Sequence, residues 1–304
     1  MKISFKNNIS GNWFILFAAM LWGTTGTAQG LAPAGATPLT VGTIRLAIGG
    51  LALLLLAILR KQFFSGNSWP LFQTFISAFF VASYQLCFFA AVAKTGVAVG
   101  TMVAIGSSPV AAGVLGFLIR KESLERKWYI ATFLAVIGCT LLSLSGGQLN
   151  LDLVGVILAL GAGVSYAIYT VSIKGLLDKH SPDAVMAIVF TSAALLLLPT
   201  IFFSDWRWLI QPQGIVVALH LGIVTAAMSY WLFARGLKTV KVGNVATFSL
   251  AEPLTATLLG VFILNEHLGA TELLGIFLIF IGIMVLAVVP SRRSLAVVDK
   301  NAGV

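Results

Sequence analysis

The sequence predicts an all-α membrane protein: ten transmembrane helices, folded as two inverted five-helix repeats around a central cavity. Three observations predict it. Hydrophobic residues make up 59% of the chain and charged residues 10%, where a soluble domain carries about a quarter charged residues. Shifting the sequence by 144 residues lays Lys94-Thr95 on Lys238-Thr239, Pro109 on Pro253, Glu122 on Glu266 and Ile137-Gly138 on Ile281-Gly282, without a gap from Phe89 to Leu142. The basic residues punctuate the apolar runs instead of gathering into one domain. That spread sets topology and argues against a nucleic-acid partner, despite a net charge of +9.

A helix needs ~20 mostly apolar residues to cross the hydrocarbon core. Ten runs satisfy this: 11–30, 38–59, 70–93, 97–119 and 128–145, then 153–174, 183–203, 214–236, 242–264 and 271–289. The loops between them are short. The predicted repeats are residues 1–146 and 147–304. With the N-terminus in the cytoplasm, every Lys and Arg outside the spans except Lys94 and Arg207 falls on the inner side, and Arg45 lies within a span. That bias predicts both termini inside. Five is odd, so the second repeat runs opposite to the first, the plan of many secondary transporters. The first run resembles a signal peptide, with Lys2 and Lys6 ahead of it, but it is long and no small-residue cleavage site stands out after it. Cys87 and Cys139 both fall in apolar runs and imply no disulfide framework.

Charge at mid-membrane is costly, ~2.5–3.5 kcal/mol on insertion scales. Glu252 is the one acid near the middle of a span. It reads as a site for a substrate ammonium or as a proton carrier. It reads equally as an acid tying helices together, since its repeat partner is Ser108. Arg45 reads first as a cation that snorkels or pairs helices, and second as a partner for a substrate carboxylate. His220 reads as a hydrogen-bonded packing residue, and His180 and His267 suggest no metal cluster.

Pro109 and Pro253 occupy matching mid-span positions. Each removes a backbone donor, so they are expected to act as hinges or as static bends. Helical periodicity puts Ala18, Trp22, Thr25, Gly26 and Gln29 on one face of the first span, and Tyr166 and Tyr169 on the matching face of the sixth. Tyr84, Gln85, Ser107, Ser108 and Asn244 add further mid-depth polar groups. The candidate substrate-binding residues are therefore Trp22, Gln29, Tyr84, Gln85, Ser107, Ser108, Tyr166, Tyr169, Asn244 and Glu252. Spans two, five, seven and ten read as aliphatic scaffold. Trp13, Trp69, Trp128, Trp206 and Trp208 lie at span ends, as an interfacial belt requires.

The opening Ala18-Ala19-Met20-Leu21-Trp22-Gly23, Arg45, and the repeated Pro109…Glu122-Ser123-Leu124 and Glu252-Pro253…Asn265-Glu266-His267-Leu268 resemble the drug/metabolite transporter superfamily in its ten-helix EamA branch. Within it the chain is most similar to the YddG-type bacterial exporters of aromatic and other amino acids. The resemblance covers essentially the whole chain and implies a bacterial inner-membrane exporter with a central cavity. One departure from the superfamily's small multidrug exporters is that the first span has no acid, which argues against export of bulky cations as the sole activity.

The expected function is export of amino acids and related small metabolites by alternating access. The expected partners are that substrate and the lipid bilayer, and a monomer already holds both repeats. No cofactor is implied. The alternatives are export of other drugs or metabolites (nucleobases, cationic dyes) and, remotely, an intramembrane enzyme using Ser107 or Ser108 with His220. No phosphate-binding G-x-x-x-x-G-K-[ST] loop is present for a primary pump.

Overall fold

The computed structural model describes residues 5–64, 68–144, 152–264 and 269–288, and among them every regular element is a helix. The long apolar runs become α1 (Phe5–Gly30), α2 (Pro38–Leu59), α3 (Leu71–Arg120), α4 (Arg126–Leu144), α5 (Leu153–Leu177) and α6 (Pro182–Leu197). They continue as α7 (Pro212–Leu219), α8 (Ser229–Thr239), α9 (Val242–Phe248), α10 (Ala251–Leu264) and α11 (Ala270–Val288). By length and composition alone, seven described helical stretches are long and apolar enough to cross a membrane. Asn265, Glu266, His267 and Leu268 lie outside the described residues.

Local chemistry sets the element boundaries. Thr37 caps α2 in a reciprocal box with Thr40, with Pro38 in the first turn. Asp152 and Ser181 cap α5 and α6 through the amides of Gly155 and Ala184. The third and fourth predicted spans join into the single helical run α3, yet the chain reverses within it. A Cβ at Gly100 would lie 3.0 Å from the Val92 backbone, whereas residues eight apart in a straight helix are separated by ~12 Å. Between α7 and α8 the helix widens to a π stretch, His220–Met228, a distortion frequent at functional sites.

The two mid-span prolines behave differently. Pro109 cannot donate to Ile105 O, and the Ser108 hydroxyl takes that carbonyl instead, at 2.8 Å, so α3 runs on unbroken. Pro253 cannot donate to Ser249 O. There the chain tightens, the Glu252 amide takes the carbonyl at 3.0 Å, and a turn at residues 249–250 separates α9 from α10. Matching prolines are thus accommodated once by a side chain and once by the backbone.

In lipid, helix association rests on close packing instead of on exclusion of water. Helices α4 and α11 approach until a Cβ at Gly138 would lie 2.5 Å from Gly275 O, and one at Gly282 would lie 2.7 Å from Ala131 O. Residues rise along one helix as they fall along the other, so the pair is antiparallel. In the 144-residue register Ala131 matches Gly275 and Gly138 matches Gly282, so exchanging the repeats maps this contact onto itself. Large apolar side chains such as Phe72, Leu51, Phe133 and Phe277 point outward from the bundle.

Two expectations need correction. Trp128 and Trp208 are not belt residues but are buried. The Trp128 ring fills the space left by Gly113 on α3 and Gly243 on α9, where a Cβ would lie 2.3 Å and 2.9 Å from it. Helix α2 is not plain scaffold, because it carries Arg45 into the interior.

Candidate functional site

A cavity of about 140 Å³ lies at the centre of the bundle. That is room for on the order of ten waters or one small metabolite. Helix α1 supplies Trp22, Thr25, Gly26 and Gln29, α3 supplies Tyr84 and Phe88, α5 supplies Tyr166 and Tyr169, and α10 supplies Glu252 and Pro253. Tyr230 of α8 and Arg45 of α2 complete the wall.

The aromatic wall is continuous. Tyr166 and Tyr169 meet edge to face at 5.1 Å, and both contact Tyr84 at close to 6 Å. Trp22 packs on Tyr230 at 4.9 Å and on Phe233 at 5.4 Å. The Tyr166 hydroxyl pairs with Ser249 Oγ at 3.0 Å, in the turn that precedes α10. Arg45 is fixed by one hydrogen bond, Nη2 donating to Thr225 O of the π stretch at 2.9 Å. Its Nε, the Trp22 indole Nε1 and Thr25 Oγ1 are buried and have no protein partner. The cavity thus holds a cation, an acid, aromatic faces and unused donors, the equipment to orient a small polar molecule with an apolar part.

The two ends of the cavity differ. Its lining reaches Gln29 at the end of α1, and Val92 and Thr101 beside the reversal of α3. The opposite end of the bundle carries a set of ion pairs, most of which join the two halves of the chain. Glu122 accepts from Lys174 Nζ at 3.0 Å and from the Val242 amide at 2.7 Å. Lys174 also donates to Val240 O. Arg120 pairs with Asp178 at 2.8 Å and Lys241 with Glu125 at 2.7 Å. Asp183, buried, takes Arg235 at 2.8 Å and Arg60 at 3.3 Å. Both guanidiniums lie over the Trp231 ring, Arg235 at 3.7 Å from its centroid and Arg60 at 5.5 Å.

A family model described as the EamA-like transporter family matches the chain twice, over residues 9–144 and 153–288. The chain belongs to that family. It is 44% identical over 292 residues to the uncharacterized transporter YwfM of Bacillus subtilis (strain 168), covering 96% of this chain and 98% of that one. It is 33% identical over 153 residues to the threonine/homoserine exporter RhtA of Escherichia coli (strain K12), about half of each chain. A crystal structure of a protein 21% identical covers 91% of this chain and 96% of its own, with a TM-score of 0.78, a likeness of fold. The EamA-like chain is accordingly a multi-pass membrane transporter.

Of the residues singled out from sequence, this EamA-like transporter brings Trp22, Gln29, Tyr84, Tyr166, Tyr169 and Glu252 together around the cavity, with Pro253 beside them. It places four elsewhere. Gln85 lines a separate apolar crevice with Leu86, Thr43 and Leu197, on the far side of Phe89. The Ser107 hydroxyl bonds Ala104 O at 3.2 Å and packs where Gly163 of α5 lacks a side chain. Ser108 serves the carbonyl freed by Pro109. Asn244 sits in the first turn of α9, beside the ion-paired end. Helical periodicity alone does not resolve which face of a span meets the cavity or at what depth. His220 Nε2 pairs with Thr24 at 2.9 Å, so serine and histidine do not meet. Among the described residues no cluster of His, Cys, Asp or Glu could hold a metal. Arg45, read first as a snorkelling or helix-pairing cation and second as a carboxylate partner, both bonds Thr225 O of another helical stretch and lines the cavity. Its signal was a cation inside an apolar run.

His180, in the loop after α5, lies outside the spans. Its ring stacks on Trp69 at 4.0 Å and neither ring nitrogen has a protein partner. Burial, and then the nearby Lys179 charge, hold its pKa below the usual histidine value. The unfolded chain therefore binds a proton near pH ~6.5 while the folded protein still does not. The stabilisation is complete above that pH and is lost as pH falls through the lowered folded value. Thermal unfolding in detergent is expected to drop between pH 7.5 and 5.5, and His180→Phe is expected to flatten part of that drop.

Proposed function

We propose that this chain is a secondary transporter that exports amino acids, aromatic and other neutral ones, and related small metabolites by alternating access. It does so from a bacterial inner membrane, as a monomer, with both termini in the cytoplasm. In this reading ten crossings form two inverted repeats. The seven long apolar stretches are joined by α1, by α4 with its opening Arg126-Lys127, and by α9–α10 with its central turn. The antiparallel, self-mapping contact of α4 with α11 supports the inversion. The basic residues then put the ion-paired end in the cytoplasm, and the cavity faces outward.

The observation that carries the reading is the cavity itself: opposite charges and aromatic walls, reaching one end of the bundle, with ion pairs between the repeats at the other. Two discrete closures around one site are what alternating access requires. The named activity of RhtA, a threonine/homoserine exporter, points to the substrate class. The test is efflux from liposomes loaded with threonine or phenylalanine. Saturable flux is expected, and its absence for every amino acid overturns the reading; competition by nucleobases or cationic dyes instead favours a different cargo.

A graded version uses Gly26, which faces the cavity and where an added Cβ would meet nothing within 4 Å. Gly26→Leu is expected to lower flux at least tenfold while leaving the unfolding temperature unchanged. Equal loss of flux and of stability would mean that Gly26 serves packing and not passage.

A further inference from the structure

The interior holds two charges of opposite sign that are not joined to each other. Arg45 enters the cavity from α2 in the first half of the chain, and Glu252 from α10 in the second. Attraction between opposite charges strengthens in a low-dielectric interior, and a cation beside an acid ordinarily closes into a pair. Here no ion pair joins them, while ion pairs form freely at one end of the bundle. The backbone holds each group in place. Arg45 is tethered to Thr225 O of the π stretch, with its Nε left unused. Glu252 stands in the first turn of α10, its amide tied to Ser249 O.

The geometry points to a clamp for one zwitterion: Arg45 takes the carboxylate and Glu252 the ammonium of an α-amino acid, whose side chain lies against Tyr84, Tyr166 and Tyr169. This rests on the reading of the chain as an amino-acid exporter and adds which residue recognises which charge. Each contact is a charge-assisted hydrogen bond, the strong kind. The arrangement also rejects. A lone cation satisfies Glu252 but faces Arg45, and a lone anion faces Glu252. Either leaves one buried charge without its counterpart, a cost that discriminates more sharply than an apolar pocket does. The unused indole Nε1 of Trp22 offers the carboxylate a further donor. Because the clamp residues come from different repeats, the bound substrate itself bridges them.

The experiment removes one charge at a time from each side. Purified full-length protein in liposomes is assayed for uptake of labelled threonine into threonine-loaded vesicles. N-acetylthreonine, which lacks the ammonium, and threonine amide, which lacks the carboxylate, serve as competitors. Binding is followed in parallel by the shift each compound causes in thermal unfolding. In the wild type both derivatives are expected to compete at least tenfold less well than threonine. In Glu252→Gln the gap to N-acetylthreonine is expected to shrink below threefold while the gap to the amide persists. In Arg45→Gln the pattern is expected to cross over. Arg45→Lys and Glu252→Asp keep each charge and serve if a glutamine variant does not fold; they are expected to retain both gaps.

Equal narrowing of both gaps in either variant, or no narrowing, overturns the clamp. Wild-type protein that binds threonine with both gaps, and variants that narrow them as expected, but no flux in the wild type, overturns the exporter reading and leaves the clamp standing. Neither flux nor binding overturns both.

Discussion

Glu122→Ala is expected to loosen the ion-paired end of the bundle and to lower the unfolding temperature by on the order of 5 °C or more. Glu122 sits where three partners from the other half converge on or near it: Lys174, the Val242 amide and, through Arg120, Asp178. The Lys174 and Glu122 side chains are only 9% and 13% exposed. Removing the carboxylate leaves an ammonium largely out of water with only Val240 O to receive it. Breaking one partner of such a buried pair costs about 3–5 kcal/mol, and a protein of this size loses roughly 1.5 °C per kcal/mol. Glu122→Gln keeps an acceptor for Val242 but no charge, so its effect is expected to be intermediate.

The same change should move the conformational balance. A cysteine at Gly26, with Cys87 and Cys139 replaced by alanine, samples the cavity. Its labelling by a membrane-impermeant maleimide applied from the ion-paired side is expected to rise several-fold in Glu122→Ala. Unchanged labelling alongside a lowered unfolding temperature would show that these pairs hold the fold without closing a path.

The second large effect is expected at Gly138. The atom facing a new Cβ there is the backbone oxygen of Gly275, at 2.5 Å, and a main chain cannot rotate away as a flexible side chain can. Gly138→Val must push α4 and α11 apart and give up contacts along their length. Overpacking costs about 1–3 kcal/mol where the surroundings yield, and here they yield least. A fall of at least 5 °C in unfolding temperature is expected. Gly275→Ala meets the reciprocal oxygen, Gly138 O, at 2.7 Å. Because both substitutions widen the same contact, the double variant is expected to lose less than the sum of the two. Gly106→Ala, whose nearest neighbour would be Val136 at 4.0 Å, is the control and is expected to unfold as the wild type does.

The helices were legible because lipid demands long apolar runs, and because the 144-residue register repeats even through the loops. The site was legible in part. Trp22, Tyr166 and Tyr169 reached the cavity because aromatic and polar residues at helical spacing must face something other than lipid. Ser108 was misread because a hydroxyl beside a proline has a local use, the freed Ile105 carbonyl, that a sequence does not display. Trp128 was misread because the space it fills is made by two glycines distant in the chain, Gly113 and Gly243. The partner of Arg45 was not legible, because it is Thr225, far along the chain, in a widened helix that no residue pattern announced.

Most charged members of the fastening have no charged counterpart in the other repeat, Glu122 and Glu266 apart. In the repeat register Lys174 corresponds to Gly30, Asp178 to Ala34, Asp183 to Leu39, Lys241 to Val97 and Arg235 to Ala91. Under the alternating access proposed above, two halves that share an outline are expected to differ in the energy of their two closures. If the chain works in that way, the unloaded carrier is expected to idle with its chamber turned to the unfastened side, and the stroke that unzips the salt links is expected to be the slow half of each cycle.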